Sequence, residues 1–350
     1  MHTFDYMKLK ESRWDSEILS FVAQIHEYKG KQELVIRQKP IELDRLIEVA
    51  KIQSTESSNK IEGIETSSAR VRQIVQEKTA PKSRDEQEIA GYRDILKTIH
   101  ENYEHIPLSS NVILQMHRDL LSYTDKSFGG QFKNTQNFIS ETYADGTVAT
   151  RFTPLAPYET PEAVEAICKN YLEAFDREVI DPLILIPVFI GDFLCIHPFN
   201  DGNGRMSRLL TTLLLYTCGY MVGKYISVEK KIEKTKDTYY DVLALISDGW
   251  HEGTNDYTPF IKYLLGIILN CYKEFEKRIG SIDRRSTPYD IVKQAVSEKL
   301  GKFTKKEILE QCPSIQSSSV EAALKKLKEE GYILMHGGGR STYYVRNPSQ

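Results

Sequence analysis

The sequence lacks the features that mark several protein classes. Its five cysteines are odd in number, lie far apart and include no CxxC pair, so neither a disulfide framework nor a cysteine zinc site is indicated. The longest apolar run, at about 181–196, is interrupted by Pro187, Gly191 and Asp192, and residues 1–14 carry charges throughout. We therefore expect no membrane-spanning segment, no targeting signal and a location in a reducing cytoplasm.

A strong charge imbalance is also missing. The formal net charge is −3 over 350 residues, which argues against a protein dominated by nucleic-acid or membrane electrostatics. The chain is long enough for two or three domains with cores of their own.

Apolar residues recur with helical periodicity along most of the chain, which predicts a mainly α-helical fold. The segment from Phe128 to Pro157 differs because it is rich in Gly, Thr and Asn, with an Asp145-Gly146 turn between residues 138–139 and 147–148. It predicts a short β-hairpin, with a plain connecting loop as the alternative. The predicted helices before residue 285 are Leu43 to Glu62, Ser68 to Glu77, Arg84 to Tyr103, Ser110 to Leu121, Pro161 to Phe175, Leu183 to Ile196, Asn203 to Cys218, Ser227 to Ile246 and Pro259 to Gly280.

One stretch combines a base, a carboxylate, two glycines and two arginines. Residues 197–208 read His-Pro-Phe-Asn-Asp-Gly-Asn-Gly-Arg-Met-Ser-Arg. Gly202 and Gly204 precede an apolar helical run, so backbone N–H groups at a helix start can face an anion there. His197 can accept a proton from a hydroxyl near neutral pH.

The charged residues of the same stretch suit a nucleoside triphosphate. Arg205 and Arg208 are three residues apart and lie on one helix face. Asp201 offers the hard oxygen that Mg²⁺ prefers when it keeps its waters and shares phosphate oxygens. The alternative is a glycine-rich loop that caps a core helix, with its arginines in solvent.

Residues 197–208 resemble the Fic motif, HxFx(D/E)GNGRxxR, and match it at every fixed position. The resemblance implies transfer of AMP from ATP to a Ser, Thr or Tyr hydroxyl of a target protein. In this family the motif histidine, here His197, deprotonates the hydroxyl, which attacks the α-phosphorus and expels pyrophosphate. The other implied roles are a buried anchor at Phe199, a Mg²⁺ ligand at Asp201, an anion hole at Gly202, Asn203 and Gly204, β-phosphate binding by Arg205 and γ-phosphate binding by Arg208.

A second segment lies upstream, at Ser58-Asn59-Lys60-Ile61-Glu62-Gly63. Gly63 is typical of the residue just past a helix end, which puts Glu62 in the last turn, against the negative end of the helix dipole. The segment is similar to the Fic inhibitory motif (S/T)xxxE(G/N) at Ser58, Glu62 and Gly63. The similarity implies an inhibitory helix at about 43–63 whose glutamate pairs with Arg208 and blocks the γ-phosphate. An exposed glutamate at a helix end is the alternative, and in some relatives the same glutamate is implicated in the reverse, de-AMPylating reaction.

Two more segments resemble Fic elements. The region at about 130–155 resembles the flap that clamps a target segment by β-strand addition, although Lys133 stands where the family's opening motif has arginine. Tyr239 and Tyr240 lie in a stretch that resembles the element sheltering the adenine. Tyrosine pairs on helices also pack in cores, and both interpretations stay open.

The tail resembles a winged helix-turn-helix. After a break at Gly280 to Pro288, the pattern predicts helices at Tyr289 to Leu300, Thr304 to Gln311 with Thr304 as N-cap, and Ser317 to Glu330, then strands near 332–335 and 343–345. From residue 286 onward ten Lys/Arg face seven Asp/Glu, which is only mildly basic for DNA binding. A DNA partner and a protein partner therefore both stay open. Candidate contact residues are Ser318, Ser319, Lys325 and Lys328.

These patterns predict an N-terminal helical region (1–105), a Fic catalytic domain with a small β-hairpin flap (106–280) and a winged-helix domain (286–350). The expected function is a protein adenylyltransferase that needs Mg²⁺ and ATP and is autoinhibited by Glu62. Its partners are ATP and a hydroxyl-bearing target docked on the flap, with self-modification and a homodimer left open and no membrane expected. The alternatives are a Fic-fold transferase of UMP, phosphocholine or phosphate, although Doc-type motifs depart from the Gly-Asn-Gly-Arg found here, and a nucleotide-sensing DNA-binding regulator.

Overall fold

The computed structural model describes residues 3–38, 40–142, 146–283, 287–299, 301–313 and 315–347. The predicted mainly α-helical fold is confirmed, with two small antiparallel sheets. The helices are α1 (Ser16–Gln38), α2 (Pro40–Ile61), α3 (Ser68–Gln76), α4 (Arg84–Asn102), α5 (Ser110–Leu120), α6 (Thr160–Asp176), α7 (Pro182–Ile196), α8 (Asn203–Thr217), α9 (Val228–Lys234), α10 (Lys236–Ser247), α11 (Thr258–Asp283), α12 (Pro288–Ser297), α13 (Lys305–Gln311) and α14 (Ser317–Glu329). The strands are β1 (Ile139–Thr142), β2 (Val148–Phe152), β3 (Lys302–Phe303), β4 (Ile333–His336) and β5 (Tyr343–Arg346).

Helix α7 lies at the centre of the larger hydrophobic core. Every residue from Leu183 to Ile196 is buried, because the helix is apolar on all its faces apart from Asp192. The Asp181 side chain caps its start by accepting a hydrogen bond of 2.8 Å from the Leu183 N–H. Helices α6, α8 and α11 pack around it. Burial of a phenylalanine such as Phe193 stabilises the fold by roughly 1.5–3 kcal/mol, so the end of α7 is held rigidly.

The first two helices cover different parts of this core. Helix α1 packs along α11, while α2 packs against α4 and α9. Helix α1 is absent from the sequence-based prediction, since its buried stripe is narrow and built mainly on Ile18 and Ile25. Helix α2 ends at Ile61, so Glu62 lies in the closing turn directly after the helix. Gly63 follows with a φ of 76°, as expected for a glycine past a helix end.

One predicted helix is in fact two helices, so its prediction as a continuous helix is wrong. The segment from Ser227 to Ile246 forms two helices, α9 and α10, which meet at Thr235. Thr235 has the non-helical angles φ −122° and ψ 34°, and its hydroxyl donates to the Lys231 carbonyl at 3.1 Å. A threonine hydroxyl that bonds to the preceding turn competes with the helical pattern. The break directs α10 toward the residues of the 197–208 motif.

The predicted hairpin is present before helix α6. Strand β1 pairs with β2 in an antiparallel register that joins Thr142 to Val148, with an irregularity between Ile139 and Ser140. Gly146 has a φ of 82°, whereas Asp145 of the predicted turn lies outside the described residues. Phe138 is 60% and Val148 66% exposed, so the hairpin presents apolar side chains to solvent.

A second hydrophobic cluster is formed by α12, α13, α14 and the last three strands. The Thr304 N-cap is confirmed, and it forms a capping box with Glu307. Strand β3, which the sequence pattern did not predict, pairs with β5, giving the strand order β3-β5-β4. Helix α11 continues to Asp283, beyond the predicted end at Gly280, and residues 284–286 of the predicted break lie outside the described residues.

Candidate active site

His197 follows the last residue of α7 in a strained conformation. Its φ of 52° and ψ of 63° are left-handed, which costs a non-glycine residue on the order of 1 kcal/mol. Its N–H bonds to the Phe193 carbonyl at 3.0 Å, and its Nδ1 lies 3.3 Å from the Leu194 carbonyl. Because a carbonyl only accepts, Nδ1 carries the proton and Nε2 of the neutral ring is left as an acceptor.

Burial lowers the pKa of His197 to about 4, and the nearby Lys133 charge adds to that effect. The imidazole is therefore neutral at pH 7 and able to take a proton. Lys133 itself is buried and donates from Nζ to the Ile196 carbonyl at 2.9 Å. Burial lowers the pKa of Lys133 to about 8. This lysine thus turns inward and supports the backbone on which His197 sits.

Asn203 closes the loop that follows the histidine. Its Oδ1 accepts from the Phe199 N–H at 2.9 Å, and its Nδ2 donates to the Phe199 carbonyl at 2.7 Å. The Asn203 side chain is therefore used within the loop. Helix α8 begins at Asn203, so the first N–H groups of this helix have no intrahelical partner and can serve an anion. Gly202, with a φ of 85°, makes the turn into the helix.

Arg208 is clamped by helix α2. Its Nη2 lies 2.8 Å from Glu62 Oε1 and donates to the Ser58 carbonyl at 2.8 Å, while Nε donates to Ser58 Oγ at 2.8 Å. The arginine side chain is 3% exposed and that of Glu62 30%. Burial alone would lower the pKa of Arg208, but the Glu62 carboxylate outweighs it and the pKa is raised. The structure thus brings the predicted inhibitory residues Ser58 and Glu62 onto the second motif arginine.

Asp201 and Arg205 belong to a chain of charges that the sequence did not reveal. Glu88 of α4 lies at its centre: its Oε2 is 2.7 Å from Arg205 Nη1, and its Oε1 accepts from Lys126 Nζ at 2.9 Å. Lys126 also contacts Asp201 Oδ2. Burial would raise the pKa of Asp201, but Lys126 and Arg205 outweigh it and lower the pKa. No residue spacing connects residue 88 or 126 to the motif; Glu88 reaches it through the packing of α4 on α8, and Lys126 reaches it from the loop after α5.

His117 is a second residue that sequence reasoning missed. Its ring stacks on Phe199 with centroids 3.7 Å apart and planes 10° apart. The Gly130 N–H donates to Nδ1 at 3.1 Å, so Nε2 carries the proton and donates to the Asp201 carbonyl at 3.0 Å. Burial lowers the pKa of His117 to about 4. A neutral histidine therefore joins α5 to the motif loop and to the start of the flap region.

The motif, the inhibitory segment and the hairpin share one small cavity of about 130 Å³. This volume is smaller than the roughly 300 Å³ or more of a typical small-molecule pocket. Tyr239 is 4% exposed and packs against Tyr263, whereas Tyr240 is half-buried. Both tyrosines nevertheless border the cavity. Its other lining residues are Glu62, Ile139, Arg151, Phe152, Leu194, Cys195, His197, Gly204, Arg208, Leu243, Ile246 and Ser247.

Within the described ranges, no group of three or more His, Cys, Asp or Glu side chains is placed to hold a metal ion. In the same ranges, no helix has the length and apolar character needed to cross a membrane.

Comparisons with known proteins agree with this geometry. Residues 107–215 match the model of the Fic/DOC family. The chain is 27% identical over 229 residues to the protein adenylyltransferase Fic of Nematostella vectensis, covering 63% of this chain and 48% of that protein. It is 30% identical over 229 residues to the protein adenylyltransferase Fic of Culex quinquefasciatus, covering 63% and 41%. The chain therefore spans less than half the length of these curated relatives.

The fold is also similar to solved structures. The crystal structure of a Fic family protein from Desulfovibrio desulfuricans superposes with a TM-score of 0.62 at 19% identity. The match covers 96% of this chain and 98% of that one, so it includes the C-terminal cluster as well as the larger core. At this level of identity the similarity concerns the fold alone.

Proposed function

We propose, from the premise that residues 107–215 form a Fic/DOC-family domain, that this chain is an ATP-dependent protein adenylyltransferase held in an autoinhibited state. The observation that carries the proposal is the shared cavity. It is lined both by the neutral His197 and by Arg208, whose guanidinium is paired with Glu62. A base and an anion receptor at one site suit transfer of a nucleotidyl group. Because Glu62 already pairs with Arg208, the arrangement also suits inhibition of that transfer.

In the proposed reaction, His197 Nε2 takes the proton of a target Ser, Thr or Tyr hydroxyl. The hydroxyl oxygen bonds to the α-phosphorus of ATP as the bond to the β-phosphate bridging oxygen breaks. The products are an AMP-protein ester and pyrophosphate, so atoms and charge balance. The pKa of His197, about 4 without a ligand, rises when phosphate anions approach, because negative charge favours the imidazolium. The nucleotide itself thus strengthens the base.

Arg205 and Arg208 are proposed to neutralise the β- and γ-phosphates, together with the open N–H groups at the start of α8. Transfer of this kind depends mainly on positioning and on charge neutralisation. Arg208 can bind a phosphate only after it leaves Glu62. A carboxylate that meets a guanidinium in a nearly dry site competes well for it, whereas an exposed ion pair would not.

The residues present fit a magnesium ion as proposed from the resemblance. Asp201 has a lowered pKa, which keeps its carboxylate ionised, and its side chain is 43% exposed. A single carboxylate is a common protein share of a Mg²⁺ site that also uses water and phosphate oxygens. Asp201 would hold the ion, which when bound supplies charge neutralisation of the phosphates. Lys126 now contacts the same carboxylate and would have to share or release it.

The hairpin is the proposed docking surface for the target, at about 130–155. Its two strands leave backbone groups free at an edge, to which an extended segment can add as a further strand. The exposed Phe138 and Val148 offer apolar contacts beside that edge. A segment of the same chain can serve as target too, which is the basis for expecting self-modification.

The C-terminal cluster is proposed to be a winged-helix domain, residues 286–350, that follows a catalytic domain at 106–280 and an N-terminal helical region at 1–105. Lys325 and Lys326 on α14 are exposed, with side-chain exposures of 78% and 60%. Each lies 3.9 Å from a glutamate one turn further on, Glu329 and Glu330 respectively. Because these lysines are partly neutralised, a protein partner suits the helix at least as well as DNA.

The experiment that tests the proposal is intact-protein mass spectrometry of wild type and Glu62→Gly after incubation with Mg²⁺ and ATP. An AMP-sized adduct mainly in Glu62→Gly, absent from Glu62→Gly/His197→Ala, would support both transfer and autoinhibition. A phosphate-sized adduct would change the reaction to phosphate transfer, and parallel incubations with UTP and CDP-choline test the other groups. No adduct in any variant, including after addition of a cell extract as a source of targets, would contradict the proposal.

A further inference from the structure

Arg151 is a cation inside the cavity that no motif predicted. It lies on strand β2 of the hairpin, and its side chain lines the same cavity as His197 and Arg208. Its Nε atom is buried and has no hydrogen-bond partner among the described residues. A buried donor without a partner is unfavourable, so such a group beside a cavity suits a partner that arrives from outside.

The charges around Arg151 are unbalanced within the described part of the chain. Glu62 lines the cavity but is already paired with Arg208 at 2.8 Å. No ion pair of Arg151 with a described acidic residue is present. His197 contributes no negative charge. Among the described residues that line the cavity, two carry guanidinium groups and one carries a carboxylate, so this described lining has an excess of positive charge.

Strand β2, which carries Arg151, packs against α10, which carries Tyr240. Burial and the nearby Glu62 raise the pKa of Tyr240, while the positive charges of Arg208 and Arg151 partly offset that rise. Arg151 from β2, Tyr240 from α10 and Arg208 from α8 therefore border one cavity. Two guanidinium groups that border one cavity suit a ligand with several anionic oxygens.

The chemistry of arginine narrows the ligand further. A guanidinium has five N–H donors and no acceptor, and it binds phosphate oxygens in a fork geometry. The ring nitrogens of adenine can also accept from it, but a cation favours the charged phosphate over the neutral base. We infer that Arg151 is a nucleotide-binding residue that donates from the hairpin to the phosphate of the transferred AMP group. This inference rests on the proposed function, and it assigns to the hairpin a role in holding the nucleotide in addition to its docking of the target.

The test measures binding, since catalysis is not needed for it. Isothermal titration calorimetry would compare AMP and adenosine on Glu62→Gly, in which Arg208 is free, and on the same protein with Arg151→Gln or Arg151→Lys added. Arg177→Gln is the matched control, because Arg177 is an exposed arginine that pairs with Glu173 at 2.7 Å on α6. Melting temperatures of all the variants check that they are folded.

The expected result is a loss of AMP affinity of about tenfold or more in Arg151→Gln, which is the size of a lost hydrogen bond to a charged group. Adenosine affinity should stay the same, Arg151→Lys should recover part of the AMP affinity, and Arg177→Gln should change neither. Unchanged AMP affinity in Arg151→Gln would overturn the inference. An equal loss for AMP and adenosine would also overturn it, because the contact would then be to the nucleoside.

The binding test and the adduct test can fail separately. If Glu62→Gly binds AMP through Arg151 but forms no AMP adduct, the proposed transfer is wrong while the assignment of Arg151 stands. If the adduct forms and AMP affinity does not depend on Arg151, the transfer stands and the assignment is wrong.

Discussion

The carboxylate of Glu62 occupies the space that a side chain at residue 204 would need. A Cβ atom built on Gly204 would lie 2.2 Å from Glu62 Oε1, far inside van der Waals contact. The motif glycine thus lets Glu62, in the turn after α2, reach the first turn of α8. Under the proposed function a phosphate would use the same opening, so Glu62 and the nucleotide would compete for it.

Gly204→Ala should therefore uncouple Glu62 from Arg208. In the wild-type background, Glu62→Ala removes the ion pair and should lower the free energy of unfolding. In the Gly204→Ala background the Glu62 carboxylate is already displaced, so Glu62→Ala should lower the free energy of unfolding only slightly. A double-mutant cycle by urea unfolding should give a coupling energy of about 1–3 kcal/mol. Additive effects of the two substitutions would mean that the glutamate remains on Arg208 despite the methyl group.

Ser58→Ala should partly release the inhibition. The substitution removes the hydrogen bond of 2.8 Å from Arg208 Nε but keeps the Ser58 carbonyl and the Glu62 carboxylate in place. We expect AMP transfer to rise several-fold, and by less than in Glu62→Gly. Incorporation of radiolabelled AMP measures the difference.

Ser57→Ala is the matched control for that comparison. Ser57 lies next to Ser58 on α2 and donates to Glu233 at 2.6 Å without contacting Arg208. It should leave AMP transfer nearly unchanged. If both substitutions activate equally, loosening of α2 on α9 is the cause, and the hydrogen bond to Arg208 has no separate effect.

Glu88→Gln should destabilise the protein and weaken ATP binding together. Glu88 is 2% exposed and lies against both Lys126 and Arg205. Removing its charge leaves Arg205 and Lys126 to share Asp201, and the loss of two nearly buried ion pairs should lower the free energy of unfolding by about 3 kcal/mol. Calorimetric melting measures the stability, and titration with ATP in the Glu62→Gly background measures the binding. Glu101→Gln, at an exposed pair with Lys97 on the same helix, should change neither, and a stable Glu88→Gln protein would contradict the assigned role.

The sequence was sufficient for the parts of the fold whose signals are local. The helical periodicity, the apolar α7 and the Thr304 cap needed only neighbouring residues. The contact of Glu62 with Arg208 was predicted from a resemblance, because the two residues are 146 positions apart and the chain between them carries no physical signal of the contact. Helix α1 was not predicted because its buried stripe is narrow. The break at Thr235 was not predicted because it depends on a single side-chain hydroxyl that donates to a backbone carbonyl.

Within the site, the residues of the 197–208 motif could be predicted from the sequence. The residues from other elements that contact the motif or line its cavity could not. Glu88, His117, Lys126 and Arg151 come from separate elements and have no spacing in common with residues 197–208. Buried charges and histidines are unremarkable in a sequence until packing brings them together. For Asn203 the Fic resemblance implied an anion-hole role, and its side-chain hydrogen bonds to Phe199 are a further contact that the sequence did not predict.

His117→Phe should slow transfer without weakening nucleotide binding. Phenylalanine keeps the stack on Phe199, at 3.7 Å between ring centroids, but loses the bonds to Gly130 and to the Asp201 carbonyl. The loop and the flap would then be less well positioned, and misplacement of reacting groups can lower rates by tenfold or more. In the Glu62→Gly background we expect kcat to fall about tenfold and the Kd for ATP to stay within about twofold. A change in Kd alone would indicate a binding role.

Acid should destabilise the fold through its buried histidines. Burial lowers the pKa of His100 to about 3, and those of His117 and His197 to about 4. A histidine whose pKa is lower in the folded than in the unfolded state adds stability above the unfolded pKa, near 6.5, and loses it as the pH falls toward the folded value. Between pH 7.5 and pH 5, each such histidine should lower the free energy of unfolding by about 2 kcal/mol.

His100 allows the cleanest measurement because it lies in the core, where Tyr216 Oη is 3.3 Å from its Nε2, away from the cavity. His100→Gln cannot be protonated, so its unfolding free energy should fall between pH 7.5 and pH 5 by about 2 kcal/mol less than that of wild type. Urea unfolding at the two pH values gives the difference directly. His105→Gln, at a residue exposed on the surface, should reproduce the wild-type pH dependence. Equal slopes in all three proteins would mean that the core admits the protonated ring of His100.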